Sequence, residues 1–121
     1  MSPIDRMIGW FRALVKRVAV VFDKKTHRYD VVEYVTLPPE LEAVKKGVIY
    51  VVQANGHLRW AMFCCPCGCR EVITLSLQQI HKPHWRLLAS PYGVPSFRPS
   101  VWRQEGCRSH FWIAEGKVHW C

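Results

Sequence analysis

The chain has 121 residues, a formal net charge of +8 and an even share of hydrophobic residues, 50%. That length suits one ordinary domain, and that apolar content excludes a chain disordered throughout. The charge favours an acidic partner without choosing among nucleic acid, an anionic membrane and an acidic protein face.

The first segment, PIDRMIGWFRALVKRVAVVF (3–22), has helical periodicity. At about 100° per residue, Met7, Trp10, Phe11, Leu14, Val15, Val18, Val21 and Phe22 share one broad face, and Arg12 and Lys16 lie opposite. Ser2, Pro3 and Asp5 suit a helix start. The expectation is an amphipathic helix that either lies across the domain's own sheet or docks on a partner or a membrane surface. Arg12, Lys16 and Arg17 break its apolar run and no small-residue cleavage site follows, so it does not read as a secretory signal. No run of about 18 apolar residues exists to span a bilayer. A cytoplasmic location is the expected default, and dense cysteines there read as metal ligands rather than disulfides.

A polar link, DKKTHRYD (23–30), leads into strand-like sequence. Residues 29–37, 47–53, 58–63 and 71–77 are rich in β-branched and aromatic side chains. Residues 38–47 read as a short helical turn, opened by a proline pair and closed by Gly47. Asn55-Gly56 marks a hairpin between two strands. Residues 81–102, with Pro83, Pro91, Pro95 and Pro99, read as irregular backbone with short strands, and 109–120 as a last hairpin around Glu115-Gly116. The expected class is α+β, mostly β. An N-terminal helix and link (1–28) precede a single zinc-binding, antiparallel β-rich domain (29–121).

The chemistry concentrates in FCCPCGCR (63–70). Four cysteines fall within six residues, and the adjoining proline and glycine permit the tight turn of a zinc knuckle. Two registers are open: Cys64-x-x-Cys67-Gly68, and Cys65-Pro66-Cys67-Gly68-Cys69. Two or three of these thiols are expected to bind one tetrahedral ion. GCRSHF (106–111) completes the set, with Cys107 and His110 in a C-x-x-H arrangement. A cluster with cysteines in place of a first histidine fits zinc better than a Rieske iron–sulfur centre. Cys121 reads as a spare thiol, and Cys64 as a side chain facing the apolar interior.

Two chemistries remain open on the residues alone. Zinc with one open position activates water, and Glu71 and Glu105 are then the nearest acids, though both read more simply as exposed turn residues. Alternatively zinc is structural and Ser100 is the nucleophile with His110 as its base, which requires a third knuckle cysteine to complete the zinc set with Cys107. The plain reading of Ser100 is a turn hydroxyl after Pro99. Ser109, beside His110, points to the opposite side on a strand. The tryptophans at 60, 85, 102, 112 and 120 lie in or beside strands and read as packing residues. Stacking on single-stranded nucleic acid is the minor reading that the charge permits.

Cys-Pro-Cys-Gly-Cys, then Pro99-Ser100, then GCRSHFWIAEGKVHW (106–120) together resemble a small bacterial domain-of-unknown-function family. The resemblance covers roughly residues 47–120. Its members are often encoded beside bacterial ubiquitin-like modifiers and their E1-like and E2-like enzymes. The resemblance implies a zinc site, partners in such a conjugation system, and one of two roles: a peptidase that trims or removes the modifier, or an E3-like adaptor. It marks Cys65, Cys67, Cys69, Cys107, Ser100, Ser109 and His110 as motif positions. The leading expectation is a zinc-containing peptidase that cleaves after the modifier's C-terminal tail. In one version zinc sits on Cys65, Cys67, Cys69 and Cys107, with Ser100 as nucleophile and His110 as base. In the other His110 is a ligand and zinc activates water.

Overall fold

The computed structural model describes residues 25–89 and 93–121. They form nine strands: β1 (Val31–Val35), β2 (Val48–Ala54), β3 (His57–Cys64), β4 (Val72–Ser76), β5 (Arg86–Ala89), β6 (Pro95–Arg98), β7 (Val101–Trp102), β8 (His110–Ala114) and β9 (Lys117–Trp120). The α+β expectation is corrected: the described residues are all-β, with a single 3₁₀ turn at Leu41–Ala43 as their one helical feature. The amphipathic helix expected over 3–22 lies outside the described residues. The turn in 38–47 does not extend because no side chain caps it at Glu40 and the chain is already extended at Val44. Val44 is drawn out of the turn into an apolar cluster with Tyr50, Val52 and Met62.

The strands make three sheets. One is four-stranded in the order β1-β2-β3-β4, one pairs β5 with β6, and one is three-stranded in the order β7-β8-β9. A second correction concerns β1, which runs parallel to β2 rather than antiparallel. Residues 36–47 separate the two strands. A connection of about a dozen residues is long enough for a parallel crossover, where a hairpin would need only a few. β2, β3 and β4 then follow as antiparallel neighbours, with the β2–β3 turn at Asn55-Gly56.

Strand alternation divides the apolar residues between two faces. Ile49, Val51, Ala61, Phe63, Ile73 and Leu75 enter the main core. Tyr50, Val52 and Met62 point the other way into the cluster around Val44. The main core is closed by Phe97 of β6, Val101 of β7, and Phe111 and Ile113 of β8, together with Tyr29. Phe63 is its hub. Its ring meets Tyr29 edge-on at 5.3 Å, stacks on Phe97 at 5.9 Å and meets Phe111 edge-on at 6.5 Å.

The β8–β9 turn is sewn to the segment before β1. The Tyr29 N–H donates to the Gly116 carbonyl at 2.6 Å, and the Val118 N–H to the His27 carbonyl at 2.9 Å. Gly116 has φ +77°, and a Cβ there would lie 3.0 Å from the Tyr29 carbonyl oxygen. Only glycine meets both demands. The Thr26 N–H reaches the Pro66 carbonyl at 2.8 Å, which ties the same segment to the cysteine turn.

Removing the Phe63 ring leaves a cavity at the point where all three sheets meet. Phe63→Ala is expected to lower the unfolding free energy by about 3–5 kcal/mol, measured by urea denaturation. A loss below about 1 kcal/mol would mean that the core collapses around the site and that Phe63 is not its hub.

Candidate active site and metal centre

The turn between β3 and β4 places three sulfurs on one side. The Cys65 N–H donates to the Glu71 carbonyl at 2.8 Å and the Gly68 N–H to the Cys65 carbonyl at 3.3 Å, with Gly68 at φ +89°. The loop between β7 and β8 brings in Cys107 from the other side. The sulfurs of Cys65, Cys67, Cys69 and Cys107 all lie within 4.8 Å of one another. Cys65 Sγ is 3.5 Å from Cys67 Sγ and 3.7 Å from Cys107 Sγ. A tetrahedral ion with zinc–sulfur bonds of about 2.3 Å sets its sulfurs about 3.8 Å apart. These four cysteines can therefore hold a metal ion, and the donor set fits a soft, tetrahedral one. Cys64 takes no part. It lies against the cluster around Val44, with its thiol 3.3 Å from the Val44 carbonyl.

Polar groups around the sulfurs support negative charge. The Cys69 N–H donates to Cys67 Sγ at 3.3 Å and the Ser109 hydroxyl to Cys107 Sγ at 3.2 Å. The Arg103 guanidinium lies 3.8 Å from Cys69 Sγ and 3.9 Å from Cys107 Sγ, and it pairs with Glu71 at 3.2 Å. Four thiolates on a divalent ion leave two excess negative charges, and Arg103 offsets part of that excess. Glu71 is thereby engaged as the partner of Arg103, and Glu105 is exposed.

The free thiols differ in how readily they ionise. Burial pushes Cys65 up to about 12. Burial also raises Cys69. At Cys107 burial acts upward too, but the Ser109 hydroxyl and backbone N–H, with Cys67 and Cys65, outweigh it and bring the thiol down to about 6.

The Ser/His candidates stand directly beside this centre. Pro99 and Ser100 join β6 to β7, and His110 is the first residue of β8, three positions after Cys107. The antiparallel pairing sets Trp102 opposite His110. Ser100 Oγ lies 2.9 Å from His110 Nε2, within hydrogen-bond reach. The serine backbone is anchored by the Trp85 indole N–H, which donates to the Ser100 carbonyl at 3.2 Å. The imidazole stacks on the Trp102 ring at 5.1 Å with planes 17° apart. The Cys121 N–H donates to the His110 carbonyl at 3.0 Å. Among the described residues, no carboxylate hydrogen-bonds to the imidazole. His110 thus faces Ser100, while the four cysteine sulfurs converge without it.

Sequence reasoning missed three features. Arg103 stands four residues before Cys107, and that spacing was its only signal. The Trp102–His110 stack follows from strand register, which is a tertiary property. A second Ser–His contact, Ser76 Oγ to His81 Nδ1 at 2.5 Å, also went unseen. Ser76 is 6% exposed, and its hydroxyl also accepts the Gln78 N–H at 3.2 Å, so this pair staples the loop after β4. Ser109 is committed to Cys107 Sγ and gives no second nucleophile.

Metal loading requires thiolates, so it releases the protons of Cys65 and Cys69, whereas Cys107 is already ionised above about pH 6. The loaded form holds fewer protons than the free form, and lowering the pH favours release. With zinc as the probe ion, affinity is expected to rise by at least about a hundredfold per pH unit between pH 7 and 8, since Cys65 and Cys69 alone release two protons. Competition titration against a chelator measures it. A pH-independent affinity would mean that Cys65 and Cys69 are not ligands.

The family model described as bacterial ubiquitination-like system serine protease (BubE) matches residues 34–121. The chain matches no curated protein and no solved structure. With the match covering most of its length, the chain belongs to the BubE family of serine proteases of bacterial ubiquitination-like systems.

Proposed function

We propose that the chain is a cytoplasmic serine peptidase that hydrolyses the bond after the C-terminal tail of a ubiquitin-like modifier, with Ser100 as nucleophile and His110 as general base. The observation that carries this reading is the 2.9 Å contact between Ser100 Oγ and His110 Nε2. A serine hydroxyl attacks only if a base takes its proton, and that distance allows direct transfer.

In the proposed reaction Ser100 Oγ attacks the carbonyl carbon at the end of the tail as its proton passes to His110 Nε2. The tetrahedral intermediate collapses, the bond to the leaving group breaks, and His110 returns the proton to that group. An acyl ester on Ser100 remains. His110 then takes a proton from water, the hydroxide adds to the ester carbonyl, and the tail leaves as a free carboxylate while Ser100 regains its proton.

Zinc is the proposed metal: Cys65, Cys67, Cys69 and Cys107 would hold it with four thiolates, leaving no place for water, and it would then supply folding energy and a rigid turn. This favours the serine mechanism over a version in which His110 is a ligand and zinc activates water. In place of a carboxylate, Trp102 holds the imidazole. Its ring face also favours the imidazolium that forms during attack.

Ser100→Ala is expected to lower kcat for cleavage of a modifier precursor by about a thousandfold or more. Cleavage that survives this change, yet stops with a chelator that leaves the fold intact, would refute the serine mechanism. No cleavage by the parent protein, together with binding to the conjugation enzymes, would point instead to the adaptor role. Trp102→Ala is expected to lower kcat by about tenfold with KM unchanged, and Trp102→Phe to restore most of it. Equal losses in both variants would show that the aromatic face plays no part.

A further inference from the structure

The open face of the three-stranded sheet leads away from the Ser100–His110 pair. Side chains alternate along a strand, so His110, Trp112 and Ala114 of β8 share that face. Across on β9, His119 is opposite Trp112 and Lys117 opposite Ala114. The outward face of the β5–β6 hairpin adjoins it, with Arg86 opposite Arg98 and Leu88 opposite Ser96. Between the two faces run two joined hollows. One, of about 770 Å³, has Leu88 and Lys117 on its walls, and the other, of about 330 Å³, has Arg86 and Pro99. Arg98 and Trp112 line both, so the hollows form one groove. Its end at Pro99 abuts Ser100, and Trp112 stands two residues along β8 from His110.

The walls have a definite chemistry. Arg86, Arg98 and Lys117 face the groove against one acid, Glu115. Neither Arg86 nor Arg98 takes part in the ion pairs Arg28–Asp30 and Arg103–Glu71. Trp112 is 42% exposed, a large apolar surface left open to water. An exposed tryptophan flanked by unpaired arginines is the composition of a recognition site rather than of a packed core. From His110 to Ala114 the face runs about 13 Å, the length of about four residues of extended chain.

We propose that this groove receives the extended polypeptide leading to the scissile bond and selects tails that carry acidic side chains, through Arg86 and Arg98, with Trp112 as the apolar wall. The proposal rests on the peptidase reading above, which supplies the bond to be cut. The carboxylates of such a tail complete the charge of the two arginines, and its backbone lies along Trp112 with its last carbonyl at Ser100.

The test separates binding from catalysis. The full chain carrying Ser100→Ala is titrated with fluorescein-labelled eight-residue peptides of equal length whose four residues before the C-terminus are mainly acidic, neutral or lysine-rich. The acidic peptide is expected to bind about tenfold tighter than the lysine-rich one. Adding Arg86→Gln and Arg98→Gln removes that preference, and adding Trp112→Ala weakens all three peptides alike. All these side chains are solvent-facing, so the fold is retained, as circular dichroism checks. In the active protein, coumarin amides of the same peptides show the preference in KM, with kcat little changed. Equal affinity for acidic and lysine-rich tails, or a preference that survives the double arginine change, overturns the proposal. So does tighter binding of an oligothymidylate of eight nucleotides. Selective binding of the acidic peptide with no hydrolysis of any coumarin amide sinks the peptidase reading and leaves the groove as a tail-binding site.

Discussion

The four-sulfur convergence is the constraint on which the arrangement depends. Cys65, Cys67 and Cys69 belong to the turn between β3 and β4, while Cys107 belongs to the loop between β7 and β8. These turns come from different sheets. Both sheets contribute to the main core, but β7 has only two residues and pairs with β8 through just Val101 and Trp102. A metal ion shared by both turns would fix what so short a ladder leaves loose. Cys65 joins the two levels of organisation, because it is buried in the main core and is also one of the four sulfurs.

The position of His110 is inherited from that centre. It stands three residues after Cys107, and the intervening Ser109 is committed to the Cys107 sulfur. The loop therefore leaves the metal turn in one direction and enters β8 with the imidazole facing Ser100. On the other side, Ser100 is carried between β6 and β7 and fixed through its carbonyl by Trp85. The contrast with Ser76 and His81 is instructive. Both pairs are at hydrogen-bond distance, but the Ser76 hydroxyl is buried under its own loop and already accepts a backbone N–H. Ser100 and His110 are both half-buried, and Pro99, the residue before Ser100, lines a surface hollow. Distance alone does not distinguish a nucleophile from a staple, whereas accessibility does.

Local signals in the sequence carried the middle of the fold. Runs 47–53, 58–63 and 71–77 overlie β2, β3 and β4, because alternation and the Asn55-Gly56 turn are properties of neighbouring residues. The direction of β1 was not legible, since parallel pairing depends on where a distant strand finds its partner. The prolines between 81 and 102 disguised the β5–β6 hairpin, in which Pro95 sits at the first position of an edge strand and so removes no inner hydrogen bond. The helical turn expected in 38–47 is present but confined to the 3₁₀ turn at Leu41–Ala43, because burial of Val44 outweighs a weak local propensity. The cysteine turn and Cys107 could be paired by residue type and spacing. Whether His110 joins them as a ligand or serves Ser100 could not be, because that depends on which way one ring faces. The ring faces the serine.

The central claim is that a metal-held loop presents an activated serine. The most direct measurement is labelling of the full chain with a fluorophosphonate, followed by mass spectrometry of the peptides, before and after zinc is removed by a chelator. The account expects one label per chain on Ser100 in the zinc-loaded protein, lost in step with the metal and recovered when zinc is returned. Labelling at a residue other than Ser100, or equal labelling of Ser100 with and without the metal, would contradict it.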